Sequence, residues 1–226
     1  MTRHRLKEAL SYPNYPKFSE IKKRLEYLEN EVAVLKEHQG GILTGEEIKK
    51  RLNKDIIIEP FNLENLNPNS VDLTLHDEII RYESYKINLS EKKQSHETIK
   101  IPEEGFWIEP GQFYLGKTVE WTETYNIAPI ISGKSSAGRV AFFTNCSAYL
   151  GDIGYKGHWS LQLYSPIYRI FVKPNIRIAH IAYLTVIGDI KEYNGHYQNS
   201  SIPIFASTSM GGNQKELVLG GVIYDK

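Results

Sequence analysis

The chain has 226 residues, 41% hydrophobic and 24% charged, which suits one mid-sized domain with an appendage and is too apolar for a wholly disordered polymer. Lysine plus arginine and aspartate plus glutamate both total 27, so no global basic field drives nucleic-acid binding and an anionic ligand has to be met locally. No apolar run reaches the roughly 20 residues of a membrane span, the first residues are charged where a secretory signal is apolar, and the single Cys146 cannot form an internal disulfide; the expected address is the reducing cytoplasm.

Residues 18–38 place Ile21, Leu25, Leu28, Val32 and Leu35 at steps of 4, 3, 4 and 3, with Lys, Glu and Arg between them. About two heptads make a helix that is marginal alone, so the stripe needs a partner helix or the body of the protein. The mixed seam favours no single oligomer number. Gly40 and Gly41 end this helix, and Thr44 with Glu47 has the spacing of a capping box that opens a second one.

From Ile56 onward short runs rich in β-branched and aromatic residues follow one another: IIIEPF, SVDLTL, FYLGKTVEW, IAPIIS, VAFFTN, HWSLQLY, RIFV and IRIAHIAYLTVI. Turn formers such as Asn67-Pro68-Asn69, Pro110-Gly111 and Pro174-Asn175 separate them. This spacing predicts a mainly β sandwich, barrel or jelly roll rather than alternating β and α units. The expected organisation is a helical segment at 1–40, a β domain at 41–208 and a flexible tail at 209–226, whose Gly pairs suit closure over a ligand.

Two polar clusters stand out. Gly133-Lys134-Ser135-Ser136-Ala137-Gly138-Arg139 follows the apolar run 127–131, and small residues, hydroxyls and two cations suit an oxyanion such as phosphate. A nucleotide P-loop would need glycine at Ala128 and a helix afterwards, whereas Val140 to Thr144 read as strand; a plain polar turn is the other reading. In Gly151-Asp152-Ile153-Gly154-Tyr155-Lys156-Gly157, the aspartate either orients a water as general base or caps its own turn.

Taken in order, Ser70-Val71-Asp72-Leu73-Thr74-Leu75, Lys134-Ser135-Ser136 with Arg139, Asp152 with Gly154-Tyr155-Lys156-Gly157, Pro174-Asn175-Ile176-Arg177-Ile178-Ala179-His180 and Phe205-Ala206-Ser207-Thr208 resemble the linked dCTP deaminase and dUTPase families. The resemblance runs from about residue 41 to 208 and leaves the heptad segment outside. It implies a distorted β jelly roll assembled as a homotrimer, active sites between subunits, a pyrimidine deoxynucleoside triphosphate as ligand, and Mg²⁺ held mainly through the triphosphate. By position, Lys134, Ser135 and Ser136 hold phosphates, Lys134 standing where the family usually has arginine and so lacking the bidentate fork. Arg139 matches a deaminase arginine, Asp152 the water-orienting aspartate of dUTPases, Tyr155 a residue beneath the deoxyribose, and Asn145 lies in the hairpin that reads the pyrimidine. Asp72 is the candidate to reach the metal through a water.

Deaminases carry a glutamate that shuttles protons where this chain has Gln162, and an amide neither accepts nor donates a proton at working pH. The deaminase-like glutamine of the carboxyl-terminal segment is not identified around Tyr197 to Ser201. Triphosphate hydrolysis needs a positioned water, cations and Mg²⁺, which Asp152, Lys134 and Arg139 supply, while Phe205 stacks on the base and Ser207 and Thr208 touch the terminal phosphate. The expectation is therefore an Mg²⁺-dependent dUTP diphosphatase yielding dUMP and pyrophosphate. A dCTP deaminase with altered acid and base groups is the alternative, and a catalytically weak nucleotide binder with a partner-binding helix is a third reading. His180 replaces a common glutamine and is read as a packed strand residue ahead of a phosphate or water donor. Cys146 reads as a small buried filler, and no Cys and His set has zinc-ligand spacing.

Overall fold

The computed structural model describes residues 18–37, 40–88, 94–195 and 197–200, and the chain divides into two units, Met1–Gly41 and Ile42–Lys226. In the first unit, α1 (Phe18–Glu37) is a single helix whose residues 18–32 are all exposed, the apolar ones included. In the second unit, α2 (Gly45–Arg51) starts as expected: the Thr44 hydroxyl accepts from the Glu47 backbone N–H at 3.3 Å. The Glu47 carboxylate does not return to Thr44 but turns to Lys50 and Arg51.

The rest is mainly β, with jelly-roll-like character. β1 (Ile56–Glu59), β2 (Val71–Tyr82), β3 (His96–Lys100), β5 (Phe113–Thr124), β6 (Ile127–Gly133), β7 (Lys156–Tyr164) and β9 (Arg177–Thr185) form one sheet with the path β1-β5-β2-β9-β6. β3 joins at β2 and β7 at β5, while β4 (Phe106–Ile108) and β8 (Ile170–Val172) make a separate two-stranded sheet. Every pairing between these strands is antiparallel.

β2 explains the shape. Its first residues, Val71 to Thr74, pair with β9, and after register shifts Leu75 to Ile80 pair with β5. One strand thus serves two layers, as bulged strands do at the corners of sandwiches. Its start is buried on both faces, and Leu73, Leu75 and Ile79 join Tyr114, Leu161, Leu163, Ile181 and Tyr183 in the core. Each such side chain contributes on the order of 1.5–3 kcal/mol by leaving water.

Two expectations fail locally. The run VAFFTN is not a strand: residues 135–138 form one helical turn, α3 (Ser135–Gly138), and Ala141 adopts φ 53°. Phe142 and Thr144 are buried while Val140 and Phe143 stay exposed, and the run makes only the isolated bridge of Phe143 to Tyr164. β3 and β4 were not predicted, because HETIK and FWI are too short to show a period. The tail at 209–226 lies outside the described residues.

Candidate functional site

Three adjacent strands, β6, β9 and β2, carry Ser132, His180 and Asp72 in register on one row. Asp72 is almost fully buried, and its carboxylate is met by Lys134 Nζ, by Asn67 Nδ2 at 2.9 Å and by Arg177 at 3.7 Å. A buried carboxylate is tolerable only with such partners. The Lys134 ammonium is therefore turned inward, toward Asp72, and ties the start of the phosphate-type loop to β2. Burial holds the His180 imidazole below its usual pKa despite the pull of Asp72, with Lys134 acting in the same direction as burial.

Beyond Lys134 the loop presents Ser135, Ser136 and Arg139, all exposed. The Arg139 guanidinium has no hydrogen bond or ion pair among the described residues, so it is the cation left facing outward. Gly133 is required by close approach, since a Cβ there would lie 2.8 Å from Thr144 Oγ1. Thr144 in turn accepts the Gln162 backbone N–H through its carbonyl at 3.0 Å. This contact chain puts the Lys134 to Arg139 loop and Gln162 on β7 side by side.

Gln162 is held in one pose. Its Oε1 accepts from the backbone N–H groups of Cys146 at 2.7 Å and Ser147 at 3.1 Å. Two N–H donors demand the oxygen, which fixes the amide orientation and leaves Nε2 outward with no partner among the described residues. Asn145 secures the same hairpin, its Nδ2 donating to the carbonyls of Ile131 at 3.1 Å and Ala148 at 2.9 Å. Its donors are spent inside the loop, so Oδ1 is what it offers a base. Cys146 is exposed rather than buried; its thiol donates to the Gln162 carbonyl at 3.5 Å, and partial burial raises its pKa.

Asp152 lies elsewhere. Leu150 bridges to Ile130, and Gly151 N–H donates to the Pro129 carbonyl at 2.8 Å, so Asp152 follows at the level of Ala128. From Ala128 to Lys134 is six residues of extended chain, about 20 Å at 3.3 Å per residue. Within one chain the exposed Asp152 and the Lys134 loop stand at opposite ends of β6.

The Asp152 end has its own scaffold. Tyr155 packs on Trp159 with centroids 4.6 Å apart and the rings tilted by 43°, and meets Tyr193 edge-on, while its hydroxyl donates to the His158 carbonyl at 2.8 Å. Burial pushes its pKa up to about 12. Gly154, at φ 82°, allows Glu192 to pass close by. Gln198 clamps this turn: its Oε1 accepts from Lys156 N–H at 2.9 Å, and its Nε2 donates to the carbonyls of Gly154 and Tyr193 at 2.8 and 3.1 Å. The sequence reading finds no such glutamine between residues 197 and 201, yet Gln198 stands there; the Tyr197-Gln198-Asn199 run has no hydrophobic period to mark it. Phe205, Ser207 and Thr208 lie outside the described residues.

No group of three or more His, Cys, Asp or Glu among the described residues could hold a metal ion. Both oxygens of Asp72 face donors, which does not fit the water-mediated ligand of a protein-held Mg²⁺.

A family profile described as dCTP deaminase-like matches residues 42–186. The chain belongs to the dCTP deaminase-like family. Among its relatives, a protein of Hathewaya histolytica named "dCTP deaminase, dUMP-forming" is 45% identical over 161 residues, 71% of this chain and 92% of the relative. A Rhodopirellula baltica protein named "dCTP deaminase" is 43% identical over 168 residues, 74% of this chain and 84% of the relative. The solved 2′-deoxycytidine 5′-triphosphate deaminase of Agrobacterium tumefaciens shares the fold, with a TM-score of 0.53 at 20% identity over 65% of this chain. This chain spans about half of that one, 48% of its length.

These family relatives overturn the expectation of a dUTP diphosphatase. That expectation leaned on the missing glutamate, but the hairpin N–H groups that hold Gln162 would hold a carboxylate equally well.

Proposed function

We propose that this protein binds dCTP and acts as a dCTP deaminase, adding water at C4 of the cytosine ring and releasing ammonia. The observation that carries the reading is the contact chain Gly133, Thr144, Gln162, which gathers Ser135, Ser136, Arg139 and Gln162 at one end of β6 and leaves Asp152 at the other. Ser135, Ser136 and Arg139 meet the phosphates, with Lys134 tensioning their loop from behind through Asp72. The backbone of the 145–148 hairpin and Gln162 Nε2 face the base, and His180 supports the row beside Lys134. Mg²⁺ would be held by the triphosphate itself, since the described residues offer no carboxylate set for it, and would supply charge neutralisation there.

An amide at residue 162 orients a water but carries no proton, so deamination here is expected to be slower than with a carboxylate by about 10²–10⁴-fold. The same observation favours a second reading, a nucleotide-binding relative with little turnover. Assembly of copies is part of the proposal, as the resemblance to a trimeric family implies: the separation of about 20 Å along β6 is closed when a neighbouring copy supplies Asp152 and Tyr155 at the sugar and α-phosphate.

The test is incubation of the purified chain with dCTP, reading loss of cytosine absorbance, ammonia, and dUTP against dUMP by chromatography, with calorimetric titration alongside. Ammonia with dUTP or dUMP supports the main reading; tight binding without ammonia supports the second. Neither binding nor consumption of dCTP overturns both.

A further inference from the structure

The matched family domain begins at residue 42, so α1 is an addition to it. The helix is 20 residues, about 30 Å, long, and nothing polar interrupts its stripe of Phe18, Ile21, Leu25, Leu28 and Val32. Those five side chains are 43–69% exposed, although apolar groups at helical spacing gain from leaving water. In heptad terms Phe18, Leu25 and Val32 are a positions and Ile21 and Leu28 are d positions.

The flanking positions say what covers the stripe. On one side lie Lys22 and Glu29, on the other Arg24 and Glu31, so each edge carries one charge of each sign. If a second copy lies parallel and in register, Arg24 meets Glu29 of the next copy. If it lies antiparallel with the a and d layers aligned, Arg24 meets Glu31 and Lys22 meets Glu29. Both arrangements pair unlike charges at every flank built from these four residues, which a helix selected only against water would not require. The outer positions Lys23 and Asn30 are polar. Within the helix Lys22 is 4.0 Å from Glu26, and Tyr27 donates to one Glu31 oxygen at 2.6 Å, which leaves the other oxygen for a partner.

We infer that α1 is a self-association helix, whose apolar stripe and charge-matched edges pack against the same helix of a second copy of this chain. The occupant is set by complementarity: the stripe is matched by itself, and the four edge charges Lys22, Arg24, Glu29 and Glu31 are all matched by an antiparallel copy. Two heptads are marginal as an isolated pair, so the contact adds to whatever else joins the copies.

Sedimentation equilibrium of the full chain over a range of concentrations tests this, with Leu25→Asp/Leu28→Asp and, separately, Arg24→Glu. All three positions are exposed, so the β unit is expected to keep its unfolding midpoint. The expected result is a self-association constant at least tenfold weaker for the double variant, and a smaller, salt-dependent weakening for Arg24→Glu. Unchanged association in both variants overturns the inference. So does unchanged association with a lowered unfolding midpoint in the double variant, which would mean that the stripe covers the chain's own domain. The readout is mass rather than turnover, so it stands or falls separately from the dCTP reading.

Discussion

The two ends of β6 are built on different principles. At the Lys134 end, Asp72, Asn145 and Gln162 are each held by more than one hydrogen bond or ion pair, while Ser135, Ser136 and Arg139 stay exposed. At the Asp152 end, the aspartate is exposed and the turn is held by tilted aromatic packing and by one glutamine that ties three backbone groups. The first end gathers its candidate phosphate and base groups within a single chain, whereas the second is a rigid mount whose aspartate faces outward. Residues that share a motif list need not share a place: strand direction put the deaminase-type and diphosphatase-type groups about 20 Å apart.

The most forceful way to break this comparison is Gln162→Glu. If the Lys134 end is where chemistry occurs, ammonia release from dCTP rises by about 10²–10⁴-fold, because a carboxylate on the same two N–H donors can carry the proton. Asp152→Asn in that background, where a neighbouring copy meets the sugar and α-phosphate, is expected to raise KM for dCTP while leaving the limiting rate of ammonia release nearly unchanged. A rise absent in the first variant, or a collapse in the second, would assign the chemistry to the wrong end.

Asp72→Ala is the next largest effect. It leaves Lys134 without its main partner and costs about 3 kcal/mol in denaturant unfolding, the low end for a broken buried pair because Lys134 is partly solvated. Asp72→Asn, which keeps the shape and an acceptor oxygen, is expected to cost less. Equal losses in the two variants would show that packing rather than charge fastens this loop.

The smallest effect is a pH dependence. His180, and likewise His76 and His158, are held below the ordinary histidine pKa chiefly by burial. The unfolded chain then binds more protons than the folded one around pH 6, so stability falls as pH drops below about 7 toward the depressed folded values. His180→Gln is expected to shrink the fall in urea midpoint between pH 7.5 and 5.5 while leaving the midpoint at pH 7.5 close to its starting value. A fall of the same size in the variant would remove His180 from the cause.

Much of the fold was legible because its strands are long and regularly patterned. Arg177–Thr185 and Lys156–Tyr164 alternate or run apolar over nine residues each, and Thr44 marks the start of α2 by side-chain chemistry alone. The VAFFTN run misled because β-branched and aromatic content says that a residue fits a half-buried surface, not that one exists there. Asn145 illustrates the limit for the site. Its type suits base recognition, yet its amide hydrogens are used on Ala148 within the same turn and on Ile131 back in β6. Gln198 is the converse, with no local pattern and three backbone partners.

By itself the amino-acid order determined the β class, the family resemblance, the outlying heptad helix and the identity of the polar loop, because all of these rest on composition and short-range spacing. Only the tertiary structure decided that Lys134 turns inward to Asp72, that Gln162 sits in a ready-made pair of N–H donors, and that Asp152 stands at the far end of the strand. Those outcomes depend on register and strand direction, which arise when distant segments pair and bury their core together.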